Sequence, residues 1–272
     1  ITIGTSAFED CTSLKSAIFA DGNAITSLGT ASDANDNIFK NTPALKTVVL
    51  PNTLQFIGGH VFENSGISEV SFAAMTELTS IGDYAFANCD NLTKVAIPAN
   101  VIDLGDYAFF DCDNLEVAAL TIGLEYFGEL AFGSCDKLTA GNIPASVFFL
   151  NGNPFAGCMN IPLVTVDPEN DYFTFEQDGS IYSADKTTLH YYSNTNTTEH
   201  VILPSSVTTV APGAFAGGKM KSIVIPAKIG SIAPSVFNIC VNLESVTIAE
   251  GITSISAHAF DGCVKLNNVT IP

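Results

Sequence analysis

The chain has 272 residues, with 28 acidic against 10 basic side chains and a formal net charge of −18. That excess disfavours nucleic acid, which is bound by Lys and Arg neutralising phosphates, and no run approaches the roughly 18 apolar residues that a membrane span needs. At 47% hydrophobic and 14% charged, the sequence is too apolar to be disordered and is expected to be soluble and monomeric, with no membrane insertion. It opens on Ile1, partway through a repeat, and reads as a piece of a longer precursor whose signal or anchor lies elsewhere.

In chain order the first element is the phrase that ends at Phe8 and Cys11, and it recurs. All seven cysteines stand three residues after a phenylalanine: Phe8/Cys11, Phe86/Cys89, Phe109/Cys112, Phe132/Cys135, Phe155/Cys158, Phe237/Cys240 and Phe260/Cys263. Phenylalanines 39, 62, 86, 109, 132 and 155 are 23, 24, 23, 23 and 23 residues apart, and Phe215, Phe237 and Phe260 resume the beat at 22 and 23. A period in the low twenties predicts a solenoid, one elongated domain over 1–272 whose core runs along its axis.

The unit that begins at Phe86 continues through Cys89, Leu92, Val95, Ile97 and Pro98. Its alternation predicts a short strand with Val95 and Ile97 inward. Proline at 51, 98, 144, 226 and 272 lacks an N–H and ends the strand. The Ala-Phe phrase suits one helical or 3-10 turn with Phe and Cys on a shared face.

Two gaps break the beat. Between Phe8 and Phe39 a polar loop is inserted near 20–37. Asp33, Asn35 and Asn37 have the spacing of the first three ligands of a calcium loop, but Ile38 and Ala44 stand where that loop needs Gly and Glu, so a solvated loop is expected. Between Phe155 and Phe215 lies a stretch near 167–200 with Tyr172, Tyr182, Tyr191, Tyr192, Phe173, Phe175, His190 and His200. Asp178-Gly179 and Asp185-Lys186 are turn signals, so a β-rich insertion is expected. Its aromatics have two readings: they cover the solenoid's own core, or they contact a ligand. The candidate contacts are Tyr172, Phe175, Tyr182, Tyr191 and Tyr192.

The outward positions of the strands form a weakly charged face on which Thr47, Glu69, Lys94, Asn142 and Thr165 are further candidate contacts. Acids near the cysteines, among them Asp10, Asp90, Asp113 and Asp136, read as turn residues. The cysteines have no C-x-x-C pair and share one inward position, which predicts buried free thiols, although stacked Cα atoms about 4.8 Å apart leave pairing open. With no nucleophile motif, nucleotide loop or metal signature, neither catalysis nor a cofactor or metal is expected.

The pattern A-F-x-x-C followed by L-x-x-V-x-I-P resembles the leucine-rich repeats of the BspA-like bacterial surface proteins, related to the treponemal repeats. The resemblance implies an α/β-type leucine-rich repeat solenoid of about ten 22–24-residue coils, with one short parallel strand per coil and short helical or 3-10 turns opposite. It also implies a non-catalytic, extracellular or cell-surface binding domain. The partner would be a host or bacterial surface protein in adhesion, or alternatively a glycan held by the Tyr-rich insertion; a spacer presenting another domain is the third reading.

Overall fold

The structure is a computed structural model that describes residues 2–20, 22, 24–30 and 35–272. The chain winds into a solenoid with two parallel strand ladders along its axis. The first ladder comprises Ser16–Ile18, Thr47–Val49, Lys94–Ala96, Val117–Ala119, Gly141–Ile143, Val164–Val166, His200–Ile202, Ser222–Ile225, Ser245–Ile248 and Asn268–Thr270, with Glu69 bridging to Thr47. Val95 and Ile97 point into the core, as the alternation requires. Prolines 51, 98, 144 and 226 follow these strands within two residues.

The second ladder was not foreseen. Ser27–Leu28, Phe56–Ile57, Ser80–Ile81, Asp103–Leu104, Tyr126–Phe127 and Phe149–Leu150 form one six-stranded parallel sheet. The ladder resumes with Thr188–Tyr191 beside Thr209–Val210, then Ser231–Ile232 beside Ser254–Ile255. Two-residue strands are too short to show a period in sequence. All but the last, Ser254–Ile255, send one apolar residue inward, such as Ile81, Leu104 or Phe127, and one residue outward.

The expected helical turns around Phe are instead hydrogen-bonded turns with left-handed residues two before and two after the ring. Examples are Tyr84 (φ 55°) and Asn88 (φ 56°), and Tyr107 (φ 59°) and Asp111 (φ 55°). Positive φ breaks a right-handed helix, and among the described residues only Ala227–Ile229 forms a 3-10 helix. Alternate N–H groups of the corner bond the next coil instead: Tyr84 to Asp106 O (3.0 Å), Phe86 to Ala108 O (2.7 Å) and Asn88 to Phe110 O (2.8 Å). Asn, Asp or Gly stands two residues after most of these phenylalanines and tolerates this φ; Ser134 and Ile239 adopt it as well.

The corner rings stack into the spine of the core. Phe8 through Phe155 form one run, with neighbouring centroids 5.0 to 5.9 Å apart. Tyr192, Phe215, Phe237 and Phe260 form a second. Offset stacking at this spacing is favourable beyond burial alone. The cysteines are free, and from Cys89 onward each thiol donates to the carbonyl of the preceding Phe of its column, for example Cys112 Sγ to Phe86 O at 3.2 Å.

Within 167–200 the chain forms antiparallel strand pairs. Phe173–Phe175 pairs antiparallel with Ile181–Ser183, which pairs antiparallel with Thr188–Tyr191. The insertion is nevertheless smaller than the sequence implies, because Tyr192 occupies the Phe position of a coil. It stands 23 residues before Phe215, and its N–H donates to Ala214 O at 2.7 Å, the bond that Phe215 makes to Val236 O. Asn153 closes the gap beneath this coil: its N–H bonds Pro212 O (3.0 Å) and its Nδ2 bonds Gly213 O (3.0 Å). The calcium-like spacing includes Asp33, which lies outside the described residues.

Candidate functional site

Four aromatic side chains stand exposed on the outer side of the second ladder and touch one another. Phe149 pairs in register with Tyr126 on neighbouring strands, and these outward positions are 48% and 44% exposed. Phe148, 38% exposed, meets Tyr126 edge-on at 4.9 Å, and Tyr172, 52% exposed, lies 5.9 Å from Phe148. Asn170 sets the position of Tyr172. Its Nδ2 donates to Pro144 O and Val147 O (2.8 and 2.9 Å) in the preceding coil, and its Oδ1 accepts from the Tyr172 and Phe173 N–H groups (2.8 and 3.0 Å). The hairpin is thereby clamped so that its first ring extends the patch.

Beside the patch runs a groove of about 260 Å³ whose floor includes Gly82, Gly105 and Gly128. These glycines are required by close coil approach: a Cβ at Gly105 would come within 2.6 Å of Asp83 N, and one at Gly128 within 2.4 Å of Gly105 backbone atoms. Asp83, Asp103 and Asp106 line the groove together with Tyr126, Phe149 and Asn151. Asp83 Oδ1 accepts from the Asp106 N–H at 2.7 Å, and Asp106 Oδ1 from the Glu129 N–H at 2.6 Å. Asn151 Nδ2 also donates to Asp106, at 2.8 Å to Oδ2 and 3.0 Å to Oδ1. Glu129 is pushed up to about 7 by burial and by the neighbouring Asp106 charge, against a hydrogen bond with Tyr107 that lowers it.

The sequence-predicted contacts fall in three places. Tyr172 joins the patch and Phe175 is exposed on the hairpin. Tyr182, Tyr191 and Tyr192 are buried, so for them the core-covering reading is the one the geometry supports. The hairpin is where the interior divides, Phe173, Ile181 and Tyr191 packing with the N-terminal coils and Tyr182, Leu189 and Tyr192 with the C-terminal ones. On the face of the first ladder Thr47 bridges Glu69, whose carboxylate lies 3.9 Å from Lys94 Nζ in an exposed pair, and Asn142 pairs in register with Thr165 several coils away. Sequence reasoning missed Tyr126, Phe148 and Phe149. Their signal is the aromatic doublets Tyr126-Phe127 and Phe148-Phe149, 22 residues apart from first residue to first.

No helix among the described residues is long and apolar enough to cross a membrane. Comparison with curated proteins finds no match. Among solved structures, the chain is similar to a leucine-rich cell surface protein of Faecalibacterium prausnitzii, at 23% identity and TM-score 0.72 over 99% of this chain and 82% of that one. It is also similar to the pneumococcal vaccine antigen PcpA, at 19% identity and TM-score 0.69 over 96% and 73%. A leucine-rich repeat protein of Bacteroides ovatus matches at 20% identity and TM-score 0.62 over 100% and 76%. These likenesses show the fold. At the level of sequence, residues 32–162 and 185–272 match the BspA type leucine-rich repeat region in six copies, and the unmatched stretch between them contains the hairpin strands Phe173–Phe175 and Ile181–Ser183. The chain therefore belongs to the BspA-type leucine-rich repeat family.

Proposed function

We propose that this chain is a non-catalytic protein-binding repeat domain of a secreted or cell-surface bacterial protein, used in adhesion to host matrix or plasma proteins or to other cells. The observation that carries the reading is the contiguous exposed patch of Tyr126, Phe148, Phe149 and Tyr172. Aromatic side chains give large contact area at low entropic cost and dominate protein interfaces. The rings of Tyr126 and Phe148 are inclined at 68°, and those of Phe148 and Tyr172 at 52°, so they make a ridged surface suited to interdigitating side chains more than a flat platform for a sugar. The thiols support the non-catalytic part: burial pushes Cys89 up to about 12, the reverse of what a nucleophile needs.

Biolayer interferometry against matrix proteins, plasma proteins and glycans, with the wild type and a Tyr126→Ala/Phe149→Ala/Tyr172→Ala variant, tests the proposal. Saturable binding to a protein that the triple variant loses is the expected result. Loss of glycan binding instead selects the glycan reading. Binding that survives moves the site to the face with Thr47, Glu69, Lys94, Asn142 and Thr165, and silence across the panel from folded protein overturns adhesion in favour of a spacer.

A further inference from the structure

The groove beside the aromatic patch carries a more specific inference, which rests on the protein-binding reading and names the chemistry of the partner. We propose that it takes an extended segment of a partner protein bearing arginine or lysine side chains.

Shape comes first. At about 260 Å³ the groove is smaller than the roughly 300–1,000 Å³ typical of small-molecule pockets, and it runs across several coils from Thr30 to Asn151. Its floor is fixed as backbone by the close approach of Gly82, Gly105 and Gly128 to their neighbours. A ligand can therefore lie against main chain along the solenoid axis, which an extended peptide does and a globular face does not.

Charge selects the occupant. Among the described residues the lining includes Asp83, Asp103 and Asp106 and no lysine, on a chain whose net charge is −18. Asn151 donates to both oxygens of Asp106 and holds that carboxylate at the side of the groove. On the rim, Tyr126 and Phe149 are half exposed. Carboxylates beside exposed aromatic faces match a guanidinium or ammonium group, which pairs with the first and stacks on the second. An acidic or purely apolar segment would gain only part of this.

The test is fluorescence anisotropy with a fluorescein-labelled eight-residue peptide of alternating Arg and Gly, and the same peptide with Gln for Arg. At about 150 mM salt the Debye length is roughly 8 Å, so the diffuse field of the chain is screened and local contacts dominate. Asp103→Asn and Tyr126→Ala are exposed changes, and circular dichroism confirms that each variant folds. The expected result is saturable binding of the Arg peptide, weakened about threefold or more by each single variant and about tenfold by the pair, with Glu250→Gln on a remote coil without effect.

Equal binding of the Gln peptide, equal loss in Glu250→Gln, undiminished binding in the groove variants or no binding at all would each overturn the proposal. Protein binding that the aromatic triple variant abolishes, alongside a silent Arg peptide, would remove this inference and leave the protein-binding reading standing.

Discussion

Asn153 Nδ2 donates to the carbonyl of Gly213, 60 residues further along the chain, at 3.0 Å. The coil that contains Tyr192 reaches its corner two residues short, with three residues from Leu189 to Tyr192 where Phe127 to Phe132 takes five. The carbonyls of Pro212 and Gly213 would face that deficit, and Asn153 bonds both, while its Oδ1 accepts from the Phe155 N–H at 3.0 Å.

Replacing Asn153 with Ala removes these side-chain bonds from a buried site and leaves the Phe155 N–H unpaired, while Gly213 O keeps only the Ala216 N–H at 2.9 Å. The expected cost is about 2–4 kcal/mol. Because the interior is divided at this point, the loss falls on the coupling between two runs of repeats. Urea unfolding followed by circular dichroism should change from one transition to two; a single transition at the wild-type midpoint would exclude the splice.

Tyr192 is a corner ring of the spine, 4.8 Å from Phe215. Tyr192→Phe is therefore expected to stay within about 1 kcal/mol of wild type, and Tyr192→Ala to lose about 3–5 kcal/mol. Neither change should alter ligand affinity while the protein is folded. A Tyr192→Phe variant that keeps its stability and loses ligand would return this residue to the binding site.

The position of Tyr192 also marks how far the sequence could be read. The ring beat, the Val-x-Ile-Pro strands and the Asp178-Gly179 turn were legible because each repeats or has its own local chemistry. Tyr192 escaped because it breaks the Phe-x-x-Cys phrase, having Thr195 where Cys would stand. The second ladder escaped because two residues carry no period, and with it went Tyr126 and Phe149, whose outward aim depends on that ladder. Tyr172 was recognised from composition, but nothing local separates it from the buried Tyr182 and Tyr191. That distinction is made by the Asn170 clamp and by the packing of the hairpin.

The thiol column gives a third prediction. Cys11 is exposed, Cys263 is half-buried, and Cys89, Cys112, Cys135, Cys158 and Cys240 are buried. Burial holds the Cys89 thiol near about 12, so its thiolate fraction at pH 8 is on the order of 10⁻⁴. Under native conditions Ellman's reagent should find Cys11 first and Cys263 more slowly, with the other five reacting only as the protein unfolds. Prompt reaction of all seven would contradict the inward column.

Glu129 gives the chain a pH-dependent weak point. Its carboxyl is raised from the ordinary 4.5 to about 7, chiefly by burial and then by the Asp106 charge. Between these values the folded state keeps a proton that the unfolded state has released, so stability falls as pH rises through the window. Below about 4.5 both states are protonated and the penalty vanishes; above about 7 it is complete. The side chain is partly solvated, which limits the effect to about 1 kcal/mol. Glu129→Gln mimics the protonated form, so it should match the wild type at pH 4.5 and exceed it by about that amount at pH 8. Urea midpoints at the two pH values measure the difference, and a variant that gains nothing at pH 8 would place the charged Glu129 in solvent instead of against the Asp106 corner.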